Sequence, residues 1–336
     1  MNIWRQWPSG IFSPKYFDRV SNFEKNSVLK KEIEDFFTER FGYQSVLFPS
    51  ARNAIYSLML AKGITRLDRV YIPNFSSNCL YSIFGRCSSV STDYNNQKIV
   101  LVNHKWGIIN HTHANPNTAV IIEDSCDSII TNESLVFPNG GDYQILSLPK
   151  IIGSISGGLI LFRNRYDAII AKLIQNQAIS DNRNTQFKLK SKYYKNNMLS
   201  SSEWEHFEYS SQGLIRTELI HIIRNLDKLD QNFEIIQKRR AVIRNSFANY
   251  SIGTSYAGPV AIFRVSTGND YQDYLGGGLI REYFFDLSLT NGENTDFSPV
   301  YIFPIHMGIS DQEFALGLES IMDENSRLDG AISFID

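Results

Sequence analysis

The sequence has few cysteines, no excess of charge of one sign, and no long apolar segment. Its three cysteines, Cys79, Cys87 and Cys126, are a sparse, odd-numbered set without metal-ligand spacing, which argues against a disulfide framework and predicts free thiols in a reducing compartment. The 33 Lys and Arg residues nearly balance the 35 Asp and Glu residues. The net charge of −2 provides no global basic field, so nucleic acid is not an expected partner.

The apolar runs are all far shorter than the roughly 18 residues that a membrane-spanning helix needs. The first residues, Met1–Pro8, also lack the apolar core of a secretion signal. We therefore expect a cytoplasmic protein without a membrane partner. The 336 residues are 43% hydrophobic, which is enough for a substantial core, and the length suits one large domain and a smaller one.

Apolar periodicity predicts alternating helices and strands. An amphipathic helix is expected from Val28 to Phe41, where Gly42 offers a stop, and a second helix is expected to follow the polar turn at residues 49–53. Almost wholly apolar runs, typical of buried parallel strands, lie at residues 70–72, 99–102 and 119–122, and a further strand is expected at 158–162. We expect an α/β fold with a mostly parallel central sheet flanked by helices.

The last third of the chain has a different pattern. A long helix without internal Pro or Gly is expected from Leu214 to about Tyr250, as a bridge between domains. Beyond it, strand-like runs at residues 260–265 and 300–303 precede a final helix, and Ser310–Glu313 has the pattern of a capping box at its start. This mixture predicts a small α+β C-terminal domain of residues 233–336, after a large domain of residues 1–232.

The strongest candidate for chemistry is Lys150, within Ser147-Leu148-Pro149-Lys150 and ahead of Gly157-Gly158 and an apolar strand. A lysine that forms a Schiff base with a cofactor needs a rigid loop and small residues that allow close approach. A nearby hydroxyl, here that of Ser147, suits a cofactor phosphate. The alternative is an exposed lysine near a glycine turn, which is common.

Two further elements complete the candidate site. Asp124 ends a buried strand, where a carboxylate could keep the nitrogen of a pyridine ring protonated; the alternative is a cap for the next helix. Ser50-Ala51-Arg52-Asn53 begins a helix, whose backbone N–H groups could bind a phosphate ester, or Ser50 could be a simple N-cap.

Together these elements resemble the type I enzymes that use pyridoxal 5′-phosphate (PLP), and within them the DegT/StrS-type aminotransferases that act on nucleotide-linked sugars. The further strings that carry the resemblance are residues 70–75, 103–107, 122–126, 224–230 with 239–240, and 303–310. The resemblance implies the type I fold, with PLP attached to Lys150 and Asp124 at its ring nitrogen. Lys150 would also move the proton, and His104 and His306, in two of the strings, would bind the substrate.

The sequence departs from this family's pattern at three places. A Ser-Ala-Arg-Asn loop replaces the family's Ser-Gly-Thr, so phosphate binding is expected to rely on Ser50, Arg52 and Asn53. Ser77 stands where an aromatic residue commonly stacks on the cofactor ring. Asp127, in place of Gln, adds negative charge beside the cofactor's 3′ oxygen. These differences suggest an unusual acceptor, or a chain that has kept the fold and lost the reaction.

Two functions therefore stay open. The first is a homodimeric PLP-dependent aminotransferase that moves an amino group from an amino acid to a nucleotide-linked keto sugar, in surface polysaccharide or related sugar biosynthesis. The second is a catalytically silent homologue that binds a sugar nucleotide or a partner chain. Lys190 and Lys192 lie in a basic-aromatic segment that is either a solvated face or a contact for a nucleotide diphosphate. His111 and His113 are more typical of a loop than of a metal site, so no metal is expected.

Overall fold

The computed structural model describes residues 25–74, 76–94, 97–110, 120–131, 135–176, 213–250, 258–265, 281–286, 297–327 and 330–335. These residues form two β-sheets, of seven and five strands, with helices packed against them. The helices are α1 (Asn26–Phe41), α2 (Ala51–Ala61), α3 (Asn78–Cys87), α4 (Leu148–Ile151), α5 (Arg165–Asn176), α6 (Arg216–Ile223), α7 (Lys228–Ser246) and α8 (Asp311–Arg327). The strands are β1 (Gln44–Phe48), β2 (Arg69–Tyr71), β3 (Ser89–Ser91), β4 (Ile99–Asn103), β5 (Val120–Asp124), β6 (Tyr143–Ser147), β7 (Gly158–Phe162), β8 (Ala248–Tyr250), β9 (Val260–Val265), β10 (Arg281–Asp286), β11 (Phe297–Pro304) and β12 (Ile332–Ile335).

The seven-stranded sheet has the order β1-β7-β6-β5-β4-β2-β3. Strands β2 to β6 run parallel to one another, whereas β7 is antiparallel to both of its neighbours, β6 and β1. The carboxyl ends of β4, β5 and β6 therefore lie at one edge, where Asn103 stands opposite Asp124 and Ser147 ends β6. Ligands of open α/β sheets bind at such an edge.

Local sequence signals explain several element boundaries. Gly42 adopts the left-handed conformation, with φ of 73°, and donates its N–H to Thr38, which ends α1 as predicted. Ser50 caps α2 by accepting a hydrogen bond of 3.2 Å from the N–H of Asn53. At the start of α8, Ser310 and Glu313 form the predicted capping box, in which each side chain accepts a hydrogen bond from the other residue's N–H, at 2.7 and 3.1 Å.

The prediction of one long helix from Leu214 to Tyr250 is wrong. The chain instead forms α6 and α7, separated by a tight turn in which backbone N–H groups bond to carbonyls three residues earlier. The last residues of the predicted helix join the second sheet as β8. Apolar periodicity did not reveal the turn because Leu226 and Leu229, within and after it, both stay buried, and no Pro or Gly interrupts the sequence there.

The second sheet has the order β10-β11-β9-β12-β8 and is antiparallel except for the pair β12 and β8. It forms the small α+β part of the chain that the sequence predicts. Trp106, from the turn after β4, packs with Val260, Ile302 and Ile335 of this sheet in one buried cluster. The two sheets are therefore in contact at that turn. The proposed boundary at residue 232 falls inside α7 and stays a prediction.

None of the helices in the described part of the chain is long and apolar enough to cross a membrane. The three cysteines are free thiols, as expected.

Candidate active site

Lys150 lies in α4, the single helical turn that follows the buried strand β6. Its Nζ forms an ion pair with the carboxylate of Asp127, in the segment after β5; the two side chains are 28% and 16% exposed. Burial lowers the pKa of Lys150, but Asp127, through its charge and hydrogen bond, acts together with Cys126 and Cys79 in the opposite direction, and the net result is a pKa above its ordinary value. Lys150 is therefore held charged, and partly accessible, at the carboxyl edge of the sheet.

Asp124 is the last residue of β5 and is buried. Its carboxylate accepts a hydrogen bond of 3.0 Å from the N–H of Cys126. Burial raises the pKa of Asp124 above its ordinary value, and the charge of Asp127 adds to this, while the Cys126 hydrogen bond and Lys150 oppose it. A cation beside Asp124 would stabilise its ionised form, so this position suits a protonated ring nitrogen.

Two glycines connect α4, the turn that carries Lys150 and is called the lysine turn below, to the start of α2. Gly157 donates its N–H to the carbonyl of Pro49 at 2.8 Å and accepts a hydrogen bond of 3.1 Å from the N–H of Leu148. Gly158 lies so close to α2 that an added Cβ would stand 2.1 Å from the backbone nitrogen of Ala51. The glycine pair therefore holds the first turn of α2 against the turn that carries Lys150.

Replacing Gly158 with alanine is expected to destabilise the protein, because the new Cβ would overlap the backbone of Ser50 and Ala51. We expect the free energy of unfolding to fall by about 1–3 kcal/mol or more, as in overpacked interiors. Cofactor binding should weaken as well, because the start of α2 is displaced. Urea unfolding and cofactor titration measure the two effects.

Gly85→Ala is the matched control, because an added Cβ at Gly85, in α3, would meet its nearest atom at 4.0 Å. An alanine inside a helix should keep stability unchanged or raise it slightly. Equal unfolding free energies for the two variants would show that the contact between Gly158 and α2 is unimportant.

His104 does not reach the surface of the site. The ring is fully buried: its Nδ1 accepts a hydrogen bond of 3.1 Å from the N–H of Asn110, and its Nε2 lies 2.8 Å from a carboxylate oxygen of Glu123. Nε2 must then carry the proton and donate it to Glu123. Glu123 also accepts the N–H of Gly141 at 2.8 Å. The ring is thus held between Glu123 and the backbone of Asn110, and contact of His104 with the substrate stays a prediction.

His306 is likewise fully buried, and its Nδ1 accepts a hydrogen bond of 2.9 Å from the N–H of Gly308. Its position is internal, and direct contact of His306 with the substrate stays a prediction. The segment around it is tied to the lysine turn by Asn232, which donates to the carbonyl of Ile151 at 2.9 Å and accepts from the N–H of Met307 at 3.0 Å.

The remaining predicted residues are only partly covered by the structure. Ser77 is exposed just before α3, and its hydroxyl lies 3.0 Å from the sulfur of Cys79. Ser147 is buried at the end of β6 and makes no capping hydrogen bond to α4. Four residues that the sequence analysis considered lie outside the described part of the chain: Lys190, Lys192, His111 and His113. Among the residues that are described, no three His, Cys, Asp or Glu side chains are grouped so as to hold a metal ion.

Lys105 is a residue of this site that the sequence analysis did not single out. It begins a one-turn 3₁₀ helix, Lys105–Gly107, directly after β4. Burial lowers the pKa of Lys105 to about 8; the charge of Asp127 opposes this shift and the charge of Lys150 adds to it. The sequence could have indicated Lys105, because it lies just beyond the carboxyl end of a predicted strand, where ligands of such sheets bind.

Comparison with known protein families identifies the chemistry of this arrangement. The sequence model of a family described as "Putative PLP-dependent aminotransferase" matches residues 33–325. The chain belongs to this family. The predicted enzyme class and cofactor, a PLP-dependent aminotransferase, are thereby confirmed. A search of curated proteins finds no match.

Solved structures confirm the predicted type I aminotransferase fold. The "Putative sugar aminotransferase Spr1654 from Streptococcus pneumoniae, PLP-form" is similar with a TM-score of 0.65 and 14% identity, over 98% of this chain and 100% of that chain. The aminotransferase from Psychrobacter cryohalolentis is similar with a TM-score of 0.64 and 11% identity, over 97% of this chain and 99% of that chain. DesI, solved in the presence of its TDP-sugar product, is similar with a TM-score of 0.60 and 12% identity, over 90% of this chain and 86% of that chain. At these identities the likeness concerns the fold.

The donor set at the sheet edge of this aminotransferase fits PLP chemically. The aldehyde of PLP requires an amine, for which Lys150 is placed; the ring nitrogen requires a buried carboxylate, for which Asp124 is placed. The phosphate requires hydrogen-bond donors, for which the N–H groups of the first turn of α2 are placed. The Ser50 hydroxyl donates to the side-chain oxygen of Asn53 at 2.6 Å in this structure. These residue roles stay predictions.

Proposed function

We propose that this aminotransferase transfers an amino group from an amino acid to a nucleotide-linked keto sugar. The observation that carries the proposal is the grouping of Lys150, Asp127 and Asp124 at one sheet edge, beside the first turn of α2. A sugar acceptor is supported by the likeness in fold to a protein named as a sugar aminotransferase and to one solved with a TDP-sugar product. The residue strings of the DegT/StrS type point in the same direction.

Each group has a separate task in this reaction. PLP, when bound, supplies an electron sink for the substrate carbon that loses its proton. Lys150 would carry that proton on Nζ, because its amine would lie beside the carbon. Asp124 would keep the ring nitrogen protonated by staying ionised next to it. Asp127 orients Nζ through their ion pair.

We further propose that the protein works in the cytoplasm as a homodimer, in surface polysaccharide or related sugar biosynthesis. Symmetric dimers are the commonest closed assembly, and the fold resemblance favours one here. Lys190 and Lys192 would neutralise the nucleotide diphosphate of the substrate. Residues 1–232 would form the PLP-binding domain and residues 233–336 the small domain.

A direct assay tests the acceptor. The purified protein is supplied with PLP, a panel of L-amino acids and a TDP-linked keto sugar, and mass spectrometry follows the products. We expect a TDP-linked amino sugar to appear. The same keto sugar without its nucleotide is the control, and it should react much more slowly because it lacks the diphosphate. Amino transfer to small 2-oxo acids alone would contradict the sugar assignment.

A further inference from the structure

A buried amide on α7 links two segments that are far apart in the sequence. Asn232 is fully buried; its Nδ2 donates to the carbonyl of Ile151 at 2.9 Å, and its Oδ1 accepts from the N–H of Met307 at 3.0 Å. Ile151 directly follows Lys150 in the lysine turn, and Met307 directly follows His306. One side chain therefore contacts the backbone of both segments.

The lysine turn depends on this contact because it is short. The N–H of Ile152 bonds to the carbonyl of Leu148 at 2.9 Å and closes the single turn of α4. The carbonyl of Ile151 has no partner within so short a helix, and buried carbonyls need one. Asn232 is that partner, so it fixes the backbone one residue beyond Lys150.

The segment of residues 305–309 is fixed to the same helix. Asn232 and Arg239 lie about two helical turns apart on α7. The guanidinium of Arg239 donates to the carbonyl of His306 at 2.7 Å and to that of Ile309 at 3.0 Å. The position of α7 therefore sets both the segment 305–309 and the amide that reaches the lysine turn.

The two partners define the side-chain chemistry that position 232 requires. A carbonyl can only accept and a backbone N–H can only donate, so the side chain must offer one donor and one acceptor. The amide of Asn232 offers both. An ionised carboxylate would offer acceptors alone, and an apolar side chain would offer neither.

We propose that Asn232 is a positioning residue, which holds Lys150 in place for PLP and couples that position to the segment 305–309. The proposal rests on the proposed role of Lys150 as the cofactor anchor. Asn232 acts through the backbone of the lysine turn and is assigned no contact with the cofactor. Because coupling between two sites is reciprocal, attachment of PLP should in turn stabilise the segment 305–309.

Amide hydrogen exchange of the full chain tests this coupling without relying on turnover. Hydroxylamine first removes any bound PLP, and mass spectrometry then follows exchange in residues 148–152 and 305–309 with and without added PLP. In the wild type, PLP is expected to slow exchange in both segments, by about fivefold or more in 305–309. Residues 320–327, near the end of α8, give the reference for a general effect of PLP on stability.

Asn232→Leu removes both hydrogen bonds with a side chain of comparable size. PLP is expected to attach to Lys150 about tenfold or more slowly in this variant, because a small displacement of a reacting group has a large effect on rate. The visible absorption band of attached PLP measures that rate. PLP should also no longer slow exchange in residues 305–309.

Asn325→Leu is the matched control, because it removes an amide that accepts a hydrogen bond of 2.8 Å from the N–H of Ile332, in the second sheet. It should keep the wild-type attachment rate and the effect of PLP on residues 305–309, even where urea unfolding shows a similar loss of stability in both variants.

Three outcomes would overturn the proposal. The first is exchange in residues 305–309 of the wild type that PLP leaves unchanged relative to the reference, and this outcome decides even if Asn232→Leu does not fold. The others are attachment at the wild-type rate in Asn232→Leu, and an equal loss in Asn325→Leu. Failure of PLP to attach to wild-type Lys150 would count against the proposed function instead.

Discussion

Lys150→Ala is expected to abolish attachment of PLP and to lower turnover by at least about 10³-fold. The variant loses both the amine that binds the aldehyde and the base that moves the substrate proton, and a positioned base alone contributes about 10²–10⁴-fold. Addition of PLP to the wild type should produce a visible absorption band that borohydride removes. Peptide mass spectrometry should then locate the reduced adduct on Lys150, and the variant should show neither result.

Lys98→Ala is a matched control, because it also removes a lysine from an ion pair, of 2.8 Å with Asp68, but away from the sheet edge that holds Lys150. Its absorption band and turnover should equal those of the wild type. Spectra that do not respond to PLP in either the wild type or Lys150→Ala would contradict the assignment of the cofactor anchor.

No contact within the described part of the chain favours the catalytically silent alternative.

Asp124→Asn should lower turnover by about 10²-fold or more while the fold stays intact. The neutral amide can keep the hydrogen bond from Cys126, but it cannot hold a positive charge on the ring nitrogen. Steady-state kinetics measure the loss, and circular dichroism checks the fold. Turnover at the wild-type level would show that another residue faces the nitrogen.

The same substitution has a second consequence, for stability. Because burial raises the pKa of Asp124 in the folded state, the ionised carboxylate disfavours folding of the PLP-free protein as pH rises above the ordinary value of about 4. Asp124→Asn removes this penalty, so the PLP-free variant should melt at a higher temperature than the wild type near neutral pH. The difference should shrink toward acidic pH.

Asp68→Asn is the control of opposite sign. The hydrogen bond from Lys98 is the main reason that the pKa of Asp68 is lowered, so its ionised form favours folding and that benefit is lost as pH falls through the lowered value. This variant should be no more stable than the wild type at neutral pH. An Asp124→Asn protein that melts below the wild type without PLP would refute the argument from burial.

Most strands of the large sheet could be predicted because they are short, almost wholly apolar runs. β6 was missed although it directly precedes Lys150, because Gln144 interrupts its apolar pattern. In the structure the side-chain amide of Gln144 is fully buried, accepting from the N–H of Phe137 at 2.8 Å and donating to Ser125 at 2.7 Å. These partners come from elsewhere in the chain, so local sequence could not reveal that a buried polar residue was satisfied.

The sequence pattern also could not predict the direction of a strand or the burial of individual side chains. The apolar residues of β7 fit a parallel or an antiparallel strand equally well. Only the pairing of β7 with β1 and β6 shows that the strand is antiparallel. His104 and His306 lie in motifs that resemble substrate-binding strings, yet both rings face inward. Lys150 and Asp124 could be proposed as site residues because strand ends and glycine pairs constrain the backbone locally, and their roles stay predictions.

Asn232 implies that the site is completed late when the protein is made on the ribosome. Its amide bonds the carbonyl of Ile151, 81 residues earlier in the chain, and the N–H of Met307, 75 residues later. The carbonyl of Ile151, next to Lys150, therefore lacks its Asn232 partner until residue 232 has emerged, and contacts of such long range form slowly. A nascent chain that stops short of Asn232 would fold its parallel strands while the carbonyl beside Lys150 still lacks this side-chain partner.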